Sequence, residues 1–281
     1  MRKIKVEQIK NMIKELFLRA NYHINPDLTK LLQQALEKEN SPIGKYVLQM
    51  IIKNNKIASS EKIAICQDTG LAVVFAEVGQ EVRLIDGNFK EAINQGVKAA
   101  YQEGHLRKSV VSDPLFERKN TKTNTPVTIY TDIVPGSKIK FSVIPKGFGG
   151  ENMSALAMLK PADGEKGVIN FIVETVKKAG PNPCPPTIIG VGIGGTADSA
   201  MVIAKKATFR KINQSNKNLK YAVLEKEIKY KINNLGIGPA GLGGDTSCLA
   251  VYIDYLPTHI GGLPVAVNIC CHAARHAEGI L

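Results

Sequence analysis

The chain has 281 residues, 44% of them hydrophobic and 22% charged, which is enough to bury a sizeable core and excludes a fibrous or disordered protein. Its 37 lysines and arginines exceed its 25 acidic residues for a formal charge of +12, but the lysines are scattered along helical stretches and there is no tryptophan, so the surface suits an anionic substrate or an acidic partner rather than a nucleic acid. No apolar run reaches membrane-spanning length, and the opening Met1-Arg2-Lys3-Ile4-Lys5 lacks the apolar core of a secretion signal; a cytoplasmic location without a membrane partner is expected.

Residues 5 to about 60 read as helical. Ile9, Met12, Ile13, Leu16, Phe17 and Ala20 fall on one face at helical spacing. Asn25-Pro26-Asp27 and Ser41-Pro42 each put a capping residue before a proline, which predicts two further helix starts, with the third helix ending near Asn54-Asn55. Then Ile63-Ala64-Ile65, Cys66-Gln67-Asp68-Thr69-Gly70 and Leu71-Ala72-Val73-Val74-Phe75 read as strand, tight turn and strand. The turn puts a thiol and a carboxylate two residues apart, which suits a soft metal ligand beside a proton-handling group. The same residues would also make a buried cysteine next to an ordinary Asx turn.

A helix is predicted from Asn88 to about Glu103, followed by the polar loop Gly104–Ser109 that carries Arg107. Residues 112–126 read as irregular, and Lys138–Ile144 as a strand. The strand runs into Lys146-Gly147-Phe148-Gly149-Gly150-Glu151-Asn152, where backbone N–H groups can approach an anion or simply form a flexible turn. After a helix over Glu165–Lys178, four prolines surround Cys184 in Gly180–Pro186, which makes a stiff loop. Gly190, Gly192 and Gly195 spell G-x-G-x-x-G between a strand and a helix. Arg210, Lys211 and Gln214 stand where a dinucleotide site needs an acidic residue, so the segment reads instead as a glycine-rich helix start near a cofactor or anion. A helix over Tyr221–Leu235 ends at Gly236, and strands follow at Leu249–Ile253 and Val265–Ile269. The whole reads as an α/β fold in one domain, with a helical start over about 1–60 packed on a mixed α/β part over about 61–281.

The five cysteines, Cys66, Cys184, Cys248, Cys270 and Cys271, are widely spaced and show no CxxC pair, which argues against a disulfide framework and against zinc. Cys66, Cys184 and one of Cys270 or Cys271 follow or adjoin strand-like runs. Three thiolates can hold an iron–sulfur cluster with one iron left open.

Cys66-Gln67-Asp68-Thr69-Gly70, Cys184-Pro185-Pro186, Gly194-Gly195-Thr196 and the closing Cys271-His272-Ala273-Ala274-Arg275 resemble, in order, the motifs of the class I fumarate hydratase family. That family includes the α subunits of two-chain fumarases and of L(+)-tartrate dehydratase. The resemblance implies a catalytic [4Fe–4S] cluster on Cys66, Cys184 and Cys271, with one iron not bound by a protein thiolate. It leaves Cys248 and Cys270 as small buried residues. It implies that Arg107 binds a substrate carboxylate, that Asp68 and His259 handle protons or the hydroxyl, and that Gln67 and Gly149 add substrate contacts. His259 stands in the loop before the strand that leads to Cys271. His23, His105 and His272 are left as structural or surface residues. The resemblance also implies a separate β subunit, without which the chain is inactive, in a hetero-oligomer that takes a small dicarboxylate. The activity it implies is interconversion of fumarate and L-malate, with L(+)-tartrate dehydration as the alternative. A non-catalytic basic binding protein is a more distant one.

Overall fold

The computed structural model describes residues 1–211 and 214–281. In chain order the elements begin with β1 (Arg2–Lys5), α1 (Val6–Tyr22), α2 (Pro26–Lys38), α3 (Pro42–Glu61), β2 (Leu71–Gly79), β3 (Val82–Ile85) and α4 (Phe89–Glu103). They continue with β4 (Thr128–Val134), β5 (Ile139–Lys146), the single turn α5 (Phe148–Glu151), β6 (Ala155–Leu159) and α6 (Gly164–Ala179). The last are β7 (Thr187–Gly195), α7 (Ala197–Ala207), α8 (Leu219–Asn233), β8 (Cys248–Thr258), β9 (Leu263–Cys270) and β10 (Ala277–Ile280). The fold is therefore α/β with a helical N-terminal segment.

Both proline-marked helix starts fall on the prolines themselves, because a proline at the first helical position gives up an N–H that would be unpaired anyway. Two expectations fail. α3 runs on to Glu61, past Asn54-Asn55, and Ile63–Ile65 is irregular chain rather than a strand. Ile63 is exposed and Ile65 is buried there, with the Ile65 N–H on the Asn21 carbonyl.

The chain forms two compact units, neither contiguous in sequence: Met1–Asn25 with Asn55–Gly147 and Arg275–Leu281, and Pro26–Asn54 with Phe148–Ala274. The first unit holds a sheet in the order β10-β5-β2-β4 and the parallel pair β1-β3. β2 lies between a parallel neighbour, β4, and an antiparallel one, β5. It is buried along almost its whole length, which is why its sequence is a continuous apolar run rather than an alternation. α1 buries Ile9, Ile13, Leu16, Phe17 and Ala20 against this sheet and α4, as its periodicity predicts.

The second unit holds a sheet in the order β6-β9-β7-β8. β7 and β9 are central and antiparallel, with Ile188 opposite Cys270 and Ile193 opposite Val265. β8 runs parallel to β7 and ends with Thr258 opposite Gly195. The glycines of the G-x-G-x-x-G stretch serve packing. A Cβ on Gly190 would lie 2.0 Å from the Ala204 carbonyl oxygen and one on Gly192 2.1 Å from that of Ala200, so only bare backbone lets α7 lie on the strand. The start of α7 is filled by its own side chains: Ser199 Oγ accepts from the Thr196 N–H, and Thr196 Oγ1 donates to Asp198. That bond holds the Asp198 carboxyl below its ordinary range. The helix start where the sequence suggests a nearby cofactor or anion is thus capped by its own side chains.

A carboxylate that the sequence did not single out fastens the α2–α3 turn. Glu39 is 1% exposed. Its carboxylate accepts from the N–H groups of Ser41, Asp245 and Thr246, at 3.1, 2.8 and 2.9 Å. Among the described residues, no helix is long and apolar enough to cross a membrane.

Candidate active site

In the first unit, the Cys66 turn is held by side chains that reach it from elsewhere. The Asp68 carboxylate accepts from the Gly70 N–H at 3.0 Å, closing an Asx turn that ends in glycine at φ +78°. Tyr101, on α4, donates to the carbonyls of Thr69 and Gly70. Asn124 donates to the Gly70 carbonyl at 3.1 Å and accepts from the Ser109 N–H at 2.8 Å. Thr69 Oγ1 donates to the Arg107 carbonyl at 2.8 Å. The turn of Cys66 and the loop of Arg107 are therefore one hydrogen-bonded body, with the exposed Arg107 side chain directed to solvent from a fixed backbone. The Cys66 thiol faces the Gln67 amide oxygen at 3.5 Å.

Two buried cations stand in the same unit. Lys146, the last residue of β5, is 2% exposed and Arg275 is 3% exposed. A Cβ on Gly147 would lie 3.3 Å from both Arg275 Nη2 and Asp68 Oδ2, so the guanidinium and the carboxylate flank the same face of Gly147. Arg275 Nη1 also donates to Asn21 Oδ1 at 3.2 Å. Burial pushes the Tyr101 phenol above its ordinary range, which Arg275 and the Thr69 bond oppose and Asp68 reinforces. Burial, helped by Lys146 and Arg275 and opposed by Glu278, pushes the His276 imidazole down to about 4. Sequence reading quotes Lys146 and Arg275 only as members of motifs, without a role, and passes over His276. The available signal was a lysine ending an apolar strand, where an exposed residue is the rule.

In the second unit, Cys184 sits at φ +52° in its proline loop, with its N–H on the Pro181 carbonyl. The His272 N–H donates to the Cys184 carbonyl at 3.3 Å, which joins the loops of Cys184 and Cys271. Gly149 belongs to the same end of this unit. A Cβ there would lie 2.9 Å from the Asn182 carbonyl oxygen, so the glycine loop presses on the cysteine loop. Glu151 anchors that glycine loop through Lys205 and through Asn268, which donates to Glu151 Oε2 at 3.0 Å and to Ser154 at 2.9 Å.

His259 is elsewhere in this unit. It lies exposed in the β8–β9 turn, where its Nδ1 accepts from the Gly261 N–H at 3.1 Å. Closeness in sequence to Cys271 does not become closeness in space, because the whole of β9 separates them. Of the other histidines, His23 pairs with Ser59 and His105 is exposed at φ +50°.

The five cysteines form no disulfide and divide into two groups. Cys248 and Cys270 are 1% and 4% exposed inside strands, and burial pushes the Cys248 thiol up to about 12. Cys66 and Cys271 are half-buried and Cys184 is exposed, all in loops. Thiolates that ligate metal need such access and low desolvation, so the donor set of Cys66, Cys184 and Cys271 fits an iron–sulfur cluster chemically. Among the described residues, no three His, Cys, Asp or Glu side chains within either unit gather into a metal-holding group.

Comparison with known proteins identifies the family. Residues 10–280 match the family described as Fumarate hydratase (Fumerase). A Methanocaldococcus jannaschii chain, provisionally named L(+)-tartrate dehydratase subunit alpha, is 44% identical over 276 residues, 96% of each chain. L(+)-tartrate dehydratase subunit alpha of Escherichia coli strain UTI89 is 33% identical over 252 residues, 89% of this chain and 82% of the relative. The protein of the same name from strain K12 is 32% identical over 251 residues, with the same shares of each chain covered. The chain belongs to the fumarate hydratase family and is a subunit of a hydro-lyase.

Proposed function

We propose that this chain is the α subunit of a [4Fe–4S]-dependent hydro-lyase that removes water from L(+)-tartrate and is complete only with a separate β subunit. The observation that carries the substrate is the 44% identity, over 96% of both chains, to an α subunit named for L(+)-tartrate. The interconversion of fumarate and L-malate is the second reading, favoured by the family's own description. Cys66, Cys184 and Cys271 hold the cluster, a role supported by their access and by the burial of Cys248 and Cys270. When bound, the cluster supplies a Lewis-acidic iron at which a substrate carboxylate and hydroxyl are polarised.

The chain's own residues do the rest. Arg107, on a loop fixed through Thr69, offers a guanidinium for bidentate binding of a carboxylate. Asp68 holds or relays a proton at its carboxylate beside that loop, and the Gln67 amide and the Gly149 N–H supply further substrate contacts. His259 is the second proton-handling group. Its Nδ1 accepts from Gly261, so the neutral ring carries its proton on Nε2. Loss of the proton at one carbon and of hydroxide at its neighbour leaves an enol from a dihydroxy diacid, which becomes a keto diacid.

The test is anaerobic co-production with the β subunit, followed by iron analysis and assays on L(+)-tartrate and malate. About four irons per chain and faster turnover of tartrate are expected. Faster turnover of malate would favour the second reading, and the absence of both iron and turnover would overturn both. Cys66→Ala, Cys184→Ala and Cys271→Ala are each expected to lose iron, while Cys248→Ala and Cys270→Ala keep it.

A further inference from the structure

A pocket at the outer edge of the second unit's sheet takes no part in the chemistry proposed above. It has a volume of about 350 Å³ and lies beside β8, the end strand of the order β6-β9-β7-β8. Leu31 of α2, Ala222, Glu225, Lys226 and Lys229 of α8, and residues 249–252 of β8 all line it. No residue assigned to the cluster, the substrate or a proton is among them. β7 pairs with one side of β8, so the other side keeps peptide groups that no strand pairs.

That open edge is capped at both ends. The Glu225 carboxylate accepts from the Ile253 N–H at 2.7 Å, and Asn216 donates to the Ile253 carbonyl at 2.8 Å. At the start of the strand, Asn233 Oδ1 accepts from the N–H groups of Ser247 and Cys248, at 3.0 and 2.8 Å. Alternate residues of a strand turn their peptide groups to the same side, so the Val251 N–H and carbonyl face the pocket between these caps. The interval is too short for an added strand and suits a small molecule.

The walls also hold side chains without partners. Tyr252 is 5% exposed, and its hydroxyl has no hydrogen-bond partner among the described residues. The Arg210 guanidinium lies over its ring, 5.3 Å from the centroid, which fixes the ring in place. Burial raises the phenol above its ordinary range, opposed by Arg210 and reinforced by Glu225, so the hydroxyl keeps its proton. A buried hydroxyl in that state is destabilising, and a ligand group that bonds to it removes the penalty. On α8 the nearby carboxylates are already taken, Glu225 by Arg210 and Glu227 by Lys231. Lys226 and Lys229, one turn apart on the pocket wall, therefore carry charge that their own helix does not neutralise.

We propose that this pocket binds a small hydroxycarboxylate, with its carboxylate on Lys226 and Lys229, its hydroxyl on the Val251 peptide and the Tyr252 phenol, and its carbon body against Leu31. The ammonium groups call for an anion and the peptide carbonyl for a donor. An anion that only accepts, such as sulfate, leaves that carbonyl unpaired.

Calorimetric titration of the full, cluster-free chain tests this. The probes are citrate and L-lactate, each against its counterpart without the hydroxyl, tricarballylate and propionate. Citrate or L-lactate is expected to bind about tenfold tighter than its counterpart, as the loss of one buried hydrogen bond implies. Lys226→Gln together with Lys229→Gln is expected to weaken binding about tenfold, and Arg107→Gln to leave it unchanged. Tyr252→Phe separates a ligand contact from a structural role. It removes an unpaired hydroxyl, so the empty chain should withstand at least as much urea as the wild type while binding weakens about fivefold. No binding of either hydroxy acid, equal binding of sulfate or of the counterparts, or binding that survives the lysine pair but falls with Arg107→Gln would each overturn the proposal. So would a Tyr252→Phe chain that is less stable when empty. None of these readouts uses iron or turnover, so the hydro-lyase reading stands or falls separately.

Discussion

The turn that carries Cys66 is held from outside, by Tyr101, Asn124 and the Arg107 carbonyl. The loop that carries Cys184 is constrained from within by its own prolines and a φ of +52° at the cysteine, and its carbonyls at Cys184 and Pro185 accept from the N–H groups of His272 and Ala240. The ligand role proposed for the two cysteines requires loops that do not move, and the two loops reach that condition by different routes. The first draws on buried hydrogen bonds, so its stiffness depends on groups far away in sequence. The second limits the backbone itself, and its strain is local.

The largest effect expected from this difference is at Asn124. Asn124→Ala leaves the Gly70 carbonyl and the Ser109 N–H without their partner in a site that is 0% exposed. A loss of about 3 kcal/mol is expected. Thiol labelling of the cluster-free chain checks the direction: Cys66 should react faster and Cys184 at its former rate. Equal acceleration of both would mean that the loops are not separately supported.

The next effect is acid sensitivity in the first unit. The His276 imidazole is held near 4 in the folded chain against an ordinary value near 6.5, so the unfolded chain binds the extra proton between those values. Stability is therefore full above pH 6.5 and falls as the pH drops from 6.5 towards 4, by about 3 kcal/mol in all. Hydrogen exchange at pH 7 and pH 4.5 should show β2 and β5 losing more protection than β7 and β9, and His276→Gln should abolish the difference. The smallest effect has the opposite sign. Cys184→Gly removes a side chain from a left-handed backbone position, so the cluster-free variant should gain about 1 kcal/mol in urea unfolding, and the same variant should fail to take up iron on anaerobic reconstitution. Cys66→Gly should bring no such gain.

Much of this was legible in the sequence. The stripe of α1, the proline-marked starts of α2 and α3, the Asx turn at Asp68 and the stiffness of the Cys184 loop all come from local rules, with periodicity, capping and ring constraint acting within a few residues. What was missed is non-local. The interleaving of two units depends on which strands pair, and β1, β6 and β10 are too short to announce themselves. The glycines of β7 looked like a ligand site because the pattern records only that something comes close, and here that is α7. His259 looked near Cys271 because sequence distance ignores the direction of a strand. The burial of Lys146 and Arg275 was not legible because a buried cation depends on neighbours drawn from separate parts of the chain.

The discontinuity of the two units has a consequence for synthesis. The Glu39 carboxylate waits for N–H groups 206 and 207 residues further along, and the first unit's sheet takes its edge strand β10 from Ala277–Ile280. Neither unit can close while the chain is only partly made. The first unit lacks only its edge strand β10 once residues up to Gly147 are made, whereas the second unit's sheet lacks its central strand β9 until residues 263–270 follow, and contacts of such long sequence separation form slowly. The second unit's sheet is thus the last to receive its centre.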